Sequence, residues 1–462
     1  MTRMDTATIL ASVRELKLET VRLCFVDQHG ILRGKTLVAS ALEDAFESGI
    51  GVPSTLLLKD TSHRTVFPIW TEGAHIGDMP LSGASDVVLR PDPNGFFPLP
   101  WSPHSAILLC EVEDRSGRKI PFSSSGVLRR AVEALAEAGY EAVFGLEVEF
   151  QVYRCIDPAR DHTQTPLPPE TENLTQGHQF LTETRYGEAE TILDTLRRTA
   201  EAMGLAPRTV EIEMGPSQFE FTFAPGDPQT QAARYVMFRT MVKEVCQTQG
   251  LHASFMAKPR LPNAAANGWH MHQSLMSRSS GRGVFIPDRQ DTLTPEASGW
   301  IAGLLEHATA LCLLTNPTVN SYKRFAPFQL APNRILWGRD NRGAMIRALM
   351  MPDDPTSRIE NRVADSTANP YFAIAGQLHA GIAGLSAECS APKPSETPYS
   401  DRAQALPTTL TAAVDEFESS SFIRKAFGPE FQRYLATLKR AEWDRYVMTI
   451  SEWEHQEYFG LL

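Results

Sequence analysis

The sequence predicts an α+β protein in two parts: a small N-terminal α+β domain, then a larger domain whose sheet curves around a polar cavity and packs its apolar side on helices. Three observations predict it. Residues 6–16 have helical periodicity and residues 21–37 alternate like a hairpin around Asp27-Gln-His-Gly30. Five later segments each set a charged or imidazole face against an apolar one. The chain has 462 residues, 42% of them hydrophobic, enough for a large core and two domains.

The first domain covers residues 1–115 and the second residues 116–462. The boundary falls near Arg115-Ser-Gly-Arg-Lys-Ile-Pro121, ahead of a helix whose start is marked by Ser123 to Ser125 and whose apolar repeat fills residues 127–138. Gly145-Leu-Glu-Val-Glu-Phe150 then places Glu147 and Glu149 on one strand face and Leu146, Val148 and Phe150 on the other. Residues 155–190, rich in Pro, Thr and Gln, read as a long loop. Glu211 pairs with Glu213, and Gln218, Glu220 and Thr222 alternate with Phe219, Phe221 and Phe223. Residues 258–274 run from a small-residue loop into a strand on which His270, His272 and Ser274 share a face opposite Trp269 and Met271. Arg358, Glu360 and Arg362 repeat the pattern. Residues 387–408, with Pro392, Pro394, Pro398 and Pro407, form a second loop. Residues 417–462 are helical, and Trp443, Tyr446, Trp453 and Tyr458 read as a packing stripe.

One alternating face is ordinarily a solvated one. Five together that select Glu and His, where solvated strands favour Thr and Lys, read as a metal site. Carboxylate-rich sites with few nitrogens suit Mg²⁺ or Mn²⁺ better than zinc. Arg324, Arg339, Arg342, Arg347, Arg358 and Arg362 fall in one segment, and guanidinium clamps phosphate and carboxylate bidentately. Metals with several arginines point to phosphoryl transfer from a nucleotide beside an anionic acceptor. The chain has neither a Gly-x-x-x-x-Gly-Lys-Ser/Thr loop nor a Gly-x-Gly-x-x-Gly opening a helix, so the common phosphate cradles are not used.

These residues resemble the glutamine synthetase family over nearly the whole chain. The matching landmarks are Gly145 to Phe150, Glu213 to Glu220, residues 258–274, Asn320-Ser-Tyr-Lys-Arg324, Asn341-Arg-Gly-Ala-Met-Ile-Arg347, and Arg358-Ile-Glu-Asn-Arg362 followed by Asp365 and Ala368-Asn-Pro370. The resemblance implies an N-terminal β-grasp domain and a catalytic domain built on a curved antiparallel half-barrel flanked by helices. It implies a ligase that phosphorylates the γ-carboxylate of glutamate with ATP and lets an amine displace the phosphate. By position, Glu149, Glu213 and Glu220 would hold one Mg²⁺ or Mn²⁺, and Glu147, His270 and Glu360 a second. His272, Ser274 and Arg358 would lie beside ATP, Arg342 and Arg347 near its transferring phosphate, and Arg324 and Arg362 on the carboxylates of glutamate. The family's stacked hexameric rings imply a homo-dodecamer whose active sites form between subunits.

The departures point to the amine. Where ammonia-using members carry a flap Glu, residues 325–332 read Phe-Ala-Pro-Phe-Gln-Leu-Ala-Pro with Leu330 at the Glu position. The region matching their N-terminal ammonium-binding Asp is residues 49–58, which holds no acid. A buried ammonium without partners costs several kcal/mol, so the expected amine is an organic one with apolar surface, an alkylamine or aniline, facing Phe328, Leu330 and residues 52–58. Polyamines fit less well because they call for acidic partners, and the resemblance is to the branch forming γ-glutamyl amides of polyamines, alkylamines or anilines. Ala265-Ala266 replaces the family's Asn-Gly where the loop meets the backbone of glutamate, so a backbone carbonyl at Ala266 must serve. Two other readings stand beside this one: a glutamine synthetase whose base is Asp353 or Asp354, and a non-catalytic relative.

The net charge of −11 argues against nucleic acid or anionic membrane as a partner. No apolar run approaches the ~20 residues of a membrane span, and no hydrophobic region follows Met1-Thr-Arg-Met-Asp5. The six cysteines lack Cys-x-x-Cys spacing and read as reduced thiols of a cytoplasmic enzyme.

Overall fold

The computed structural model describes residues 5–77, 79–80, 82–156, 167–325 and 330–462. Its helix Thr6–Glu15 starts where the Asp5 carboxylate accepts a hydrogen bond from Thr8 N at 2.8 Å. The expected hairpin pairs Thr20–Val26 with Leu32–Val38, and its turn is held by Asp27 Oδ1, which accepts from the backbone N–H groups of His29 and Ile31. Ser105–Glu113 runs parallel to Thr20–Val26, and the sheet order is Leu32–Val38, Thr20–Val26, Ser105–Glu113, Asp86–Pro98, Ile50–Pro53.

A second, curved sheet of nine strands begins at Tyr140, after helix Ser124–Glu137. Its path runs Pro207–Ile212, Gln218–Phe223, Tyr140–Cys155, Trp269–Ser277, Arg358–Asn361, Ile346–Leu349, Trp337–Arg339. Leu251–Ser254 and Thr171–Asn173 also pair with Tyr140–Cys155, and all pairings are antiparallel except the last two strands of the path. The predicted α+β class with a curved sheet flanked by helices is therefore the observed one.

The alternation assigns the sheet's faces. Phe150, Phe219 and Phe221 are fully buried, and the Phe150 ring stacks on Phe255 at 5.1 Å and meets Phe238, on helix Pro228–Thr248, at 5.7 Å. Each such side chain contributes about 1.5–3 kcal/mol by leaving water. Behind the histidine strand, Trp300 Nε1 donates to Gln273 Oε1, while Gln273 Nε2 and Asn361 Nδ2 both donate to Gln377 Oε1 at 3.0 and 2.7 Å. These buried amides fix the two central site strands on helix Pro370–Ser386, because a slip would strand them unpaired.

The N-terminal sheet docks through polar groups. Asn369 Nδ2 donates to Asp27 O and to Ser124 Oγ, Arg239 donates to Gly30 O, and Trp101 Nε1 donates to Glu244 Oε2 at 2.8 Å. No single helix among the described residues is long and apolar enough to cross a membrane.

Three expectations need correction. The loop over residues 155–190 contains strand Thr171–Asn173 and ends where helix Glu183–Ala202 begins, because Leu193 and Leu196 bury a helical face that the polar composition concealed. The C-terminal helices begin earlier, at Leu410, and the aromatic stripe packs only in part: Trp443 is partly buried against the core, whereas Tyr446, Trp453 and Tyr458 are exposed. In residues 52–58, Val52, Leu57 and Leu58 are buried in this chain's own core and cannot meet an amine, since Ser54–Leu58 is a turn of 3₁₀ helix with that face inward.

Candidate active site

Sheet register assembles the site. Glu220 lies directly opposite both Glu211 and Glu149. Glu147 opposes His270, His272 opposes Glu360, and Glu360 opposes Arg347. Directly opposed carboxylates repel, so the row Glu211, Glu220, Glu149 is unfavourable unless protons or a cation intervene. Burial pushes the Glu149 carboxyl up to about 8, with the Glu213 charge adding to it. Burial likewise raises Glu213 and, with Glu147 and Glu149 nearby, raises Glu220 far above the ordinary carboxylate range.

Oxygens of Glu149, Glu213 and Glu220 lie within 4.8 Å of one another, so these carboxylates, grouped by the sequence, are brought together. Beside them, His270 Nδ1 is 3.0 Å from Glu147 Oε2 and 3.6 Å from Glu360 Oε1. A hard dication among Glu149, Glu213 and Glu220 would replace protons on crowded oxygens, and the oxygen-rich donor set of both places fits Mg²⁺ or Mn²⁺. Glu147 differs from its neighbours. Burial disfavours its charge, but hydrogen bonds from His270 and His272 outweigh this and hold the carboxyl far below its usual range.

His272 Nδ1 accepts from Arg358 Nε at 3.1 Å, which makes its Nε2–H the donor to Glu147 Oε1 at 2.8 Å. While that bond stands, His272 orients Glu147 instead of binding a metal. His272, Ser274 and Arg358 share the lining of a cavity of about 540 Å³ with Thr222 and Thr356, so the three residues expected beside ATP face one space. Arg347 does not extend freely toward it: Nη1 pairs with Glu360 at 3.0 Å and Nε with Asp340 at 2.8 Å. Arg342 is exposed on the neighbouring loop and makes no ion pair among the described residues.

Arg324 and Arg362 are 3% and 5% exposed, and the Nε of each has no hydrogen-bond partner among the described residues. Arg324 donates from Nη1 to Val363 O at 2.8 Å and Arg362 donates from Nη1 to Glu360. Two buried guanidiniums with unpaired donors are a candidate site for anions. Ala266 O is taken by Gln218 Nε2 at 2.8 Å, leaving one lone pair. Leu330 is 48% exposed with a left-handed φ of 54°, and Phe328 lies outside the described residues. Of the alternative bases, Asp354 is a poor one, because hydrogen bonds from the Thr356 backbone and side chain keep its carboxyl below the usual range.

Sequence reasoning missed Gly268 and Ser366. A Cβ on Gly268 would stand 3.0 Å from Glu149 Oε1 and from His270 Nε2, and Gly268 N donates to Glu149 Oε2 at 2.7 Å. Ser366 Oγ donates to Glu149 O and Gly268 O, pinning both sides of the carboxylate cluster. A glycine directly ahead of a ligand-bearing strand was the available signal for the first; nothing in the sequence pattern marks the second.

Residues 123–458 match the family model of the glutamine synthetase catalytic domain. The chain is 33% identical to a gamma-glutamylanilide synthase of Acinetobacter sp, over 98% of this chain and 95% of that protein. It is 31% identical to a glutamine synthetase of Methanosarcina mazei, over 98% and 97%, and 29% identical to the gamma-glutamylethanolamide synthetase GlnA4 of Streptomyces coelicolor, over 96% and 93%. A GmaS/ADP complex superposes with a TM-score of 0.82 at 27% identity, covering 98% of this chain and 99% of that one. This chain belongs to the glutamine synthetase family of ATP-dependent ligases.

Proposed function

We propose that this protein joins the γ-carboxylate of glutamate to an organic amine, an apolar alkylamine or aniline, with ATP as the driving substrate. The observation that carries the reading is the pair of buried guanidiniums, Arg324 and Arg362, whose Nε donors have no hydrogen-bond partner among the described residues, beside crowded carboxylates. A dicarboxylate suits two such groups. Leu330 at the flap position, and the lack of any acid in residues 49–58, favour an amine that brings its own hydrocarbon surface. Likeness to a gamma-glutamylanilide synthase and to a gamma-glutamylethanolamide synthetase supports an organic amine without selecting one.

In this account Arg324 and Arg362 hold glutamate, with the free lone pair of Ala266 O facing its amino group. Glu149, Glu213 and Glu220, and Glu147, His270 and Glu360, would hold two Mg²⁺ or Mn²⁺ ions, which when bound neutralise the anions brought together. His272, Ser274 and Arg358 face the nucleotide, and Arg342 and Arg347 steady the transferring phosphate. A γ-carboxylate oxygen attacks the terminal phosphorus and ADP leaves. The amine nitrogen then attacks the acyl carbon, inorganic phosphate leaves with that oxygen, and the amine releases a proton. An aniline is neutral at pH 7 and needs no counter-ion before attack. We take the enzyme to work in the cytoplasm, in keeping with its six free cysteines, as a dodecamer of stacked hexameric rings. There Pro53, Thr55 and Leu56, which keep exposed surface, would face a neighbouring subunit's amine.

The test is phosphate release with ATP, Mg²⁺ or Mn²⁺ and glutamate across ammonium, alkylamines, polyamines and anilines, with mass spectrometry of products. A γ-glutamyl amide of an organic amine is the expected outcome. Turnover with ammonium alone would refute the amine assignment, and metal-dependent ATP binding without turnover would turn the doubt to glutamate.

A further inference from the structure

A second cavity, of about 260 Å³, lies away from the metal cluster, between the N-terminal sheet and helices Ser124–Glu137, Pro228–Thr248 and Pro370–Ser386. Three carboxylates, Asp92, Glu111 and Asp227, line it against one guanidinium, Arg129. One oxygen of each acid is engaged: Asp92 Oδ1 accepts from Asn94, Glu111 Oε2 from Arg129 at 2.8 Å, and Asp227 Oδ1 from Thr230 N. Asp92 Oδ2, Glu111 Oε1 and Asp227 Oδ2 have no hydrogen-bond partner among the described residues.

Two hydroxyls make this more than an acidic patch. Tyr371 is 6% exposed and Ser123 4% exposed, both line the cavity, and neither hydroxyl has a hydrogen-bond partner among the described residues. Ser123 stands at the N-cap of its helix without capping it, so the ordinary use of a serine there is forgone. Burial raises the Tyr371 hydroxyl, and the Glu111 and Asp92 charges add to the effect, so those carboxylates face the tyrosine. Buried hydroxyls are normally satisfied, and here they open onto the same space as the free carboxylate oxygens.

We propose that this cavity binds a small organic cation through its ammonium group, which donates to Asp92 and Glu111 while the hydroxyls of Tyr371 and Ser123 complete its shell. The excess of carboxylates over guanidinium excludes an anion, and an ammonium offers the donors these acceptors lack. An occupant would bridge the N-terminal sheet and these three helices of the larger domain. It would sit beside the contact in which Asn369 ties Asp27 to Ser124, three residues beyond the Ser366 that pins Glu149 and Gly268.

The probe is 1,4-diaminobutane, measured by equilibrium dialysis on the full chain with circular dichroism as a control of fold. Glu360→Ala, which disables the metal cluster, should retain saturable binding. Tyr371→Phe and Asp92→Asn should each weaken it roughly tenfold, the order expected when a hydrogen bond to a charged group is lost. No saturable binding up to about 10 mM would overturn the proposal. So would binding lost in Glu360→Ala, or binding unchanged in folded Tyr371→Phe and Asp92→Asn.

Discussion

Replacing Glu360 probes the most heavily coupled group of the site. The residue is fully buried, accepts from Arg347 Nη1 at 3.0 Å and from Arg362 Nη1, and lies 3.6 Å from His270 Nδ1. Its carboxyl is held below the usual range: burial opposes the charge, but Arg362, His270 and His272 favour it. In Glu360→Ala, Arg347 keeps Asp340, whereas Arg362 keeps no carboxylate among the described residues. Leaving one buried charge uncompensated costs about 3–5 kcal/mol. Glu360→Gln retains volume and an acceptor oxygen, so its cost falls to about 1–3 kcal/mol. Urea unfolding of chelated protein should rank wild type, Glu360→Gln and Glu360→Ala in that order, while phosphate release should be lost in both variants because the proposed metal ligand is gone. Turnover in Glu360→Gln above about a tenth of wild type, a barrier change under about 1.4 kcal/mol, would refute the ligand role. A stability loss in Glu360→Ala below about 1 kcal/mol would show that the pairing is screened by solvent.

Gly268→Ala should weaken metal binding at least tenfold with the fold intact, because its Cβ would crowd Glu149 and His270, whereas Gly145→Ala, 3.4 Å from the His272 Cβ, should be tolerated; calorimetry of Mn²⁺ binding distinguishes them. Leu330→Glu should raise kcat/KM for ammonium relative to anilines, and an unchanged ratio would remove Leu330 from the amine pocket. In chelated protein the raised Glu149 carboxyl contributes stability that is full below the ordinary value of 4.5 and is lost as pH rises through about 8. The melting temperature without metal should therefore fall over that window, and the gain on adding Mg²⁺ should widen; a gain independent of pH would contradict it. Arg324→Lys should raise the KM for glutamate far more than that for ATP, since ammonium cannot reproduce the bidentate fork.

Alternation is legible in the sequence because strand side chains obey a period of two whatever the tertiary setting, so spacing alone assigns Glu147 and Glu149, or His270 and His272, to a common face. Register is not legible, because it is fixed by distant amides such as Gln273 and Gln377 that carry no local pattern. The role of His272 likewise depends on Arg358 occupying its Nδ1, a contact between residues far apart in the chain. Apolar residues mislead in both directions. Residues 52–58 read as a contact surface yet turn Leu57 and Leu58 inward, and three of the four C-terminal aromatics, Tyr446, Trp453 and Tyr458, read as packing yet remain exposed in the single chain. Hydrophobicity states that a side chain seeks cover, not whether its own chain supplies it.

The most direct test of an activated γ-carboxylate attacked by an organic amine is isotopic. Glutamate labelled with ¹⁸O in its γ-carboxylate, turned over with ATP, Mg²⁺ and aniline or an alkylamine, should yield inorganic phosphate bearing one ¹⁸O per molecule and an equal amount of γ-glutamyl amide. Unlabelled phosphate, released whether or not the amine is present, would mean that water attacks ATP and would contradict the ligase account.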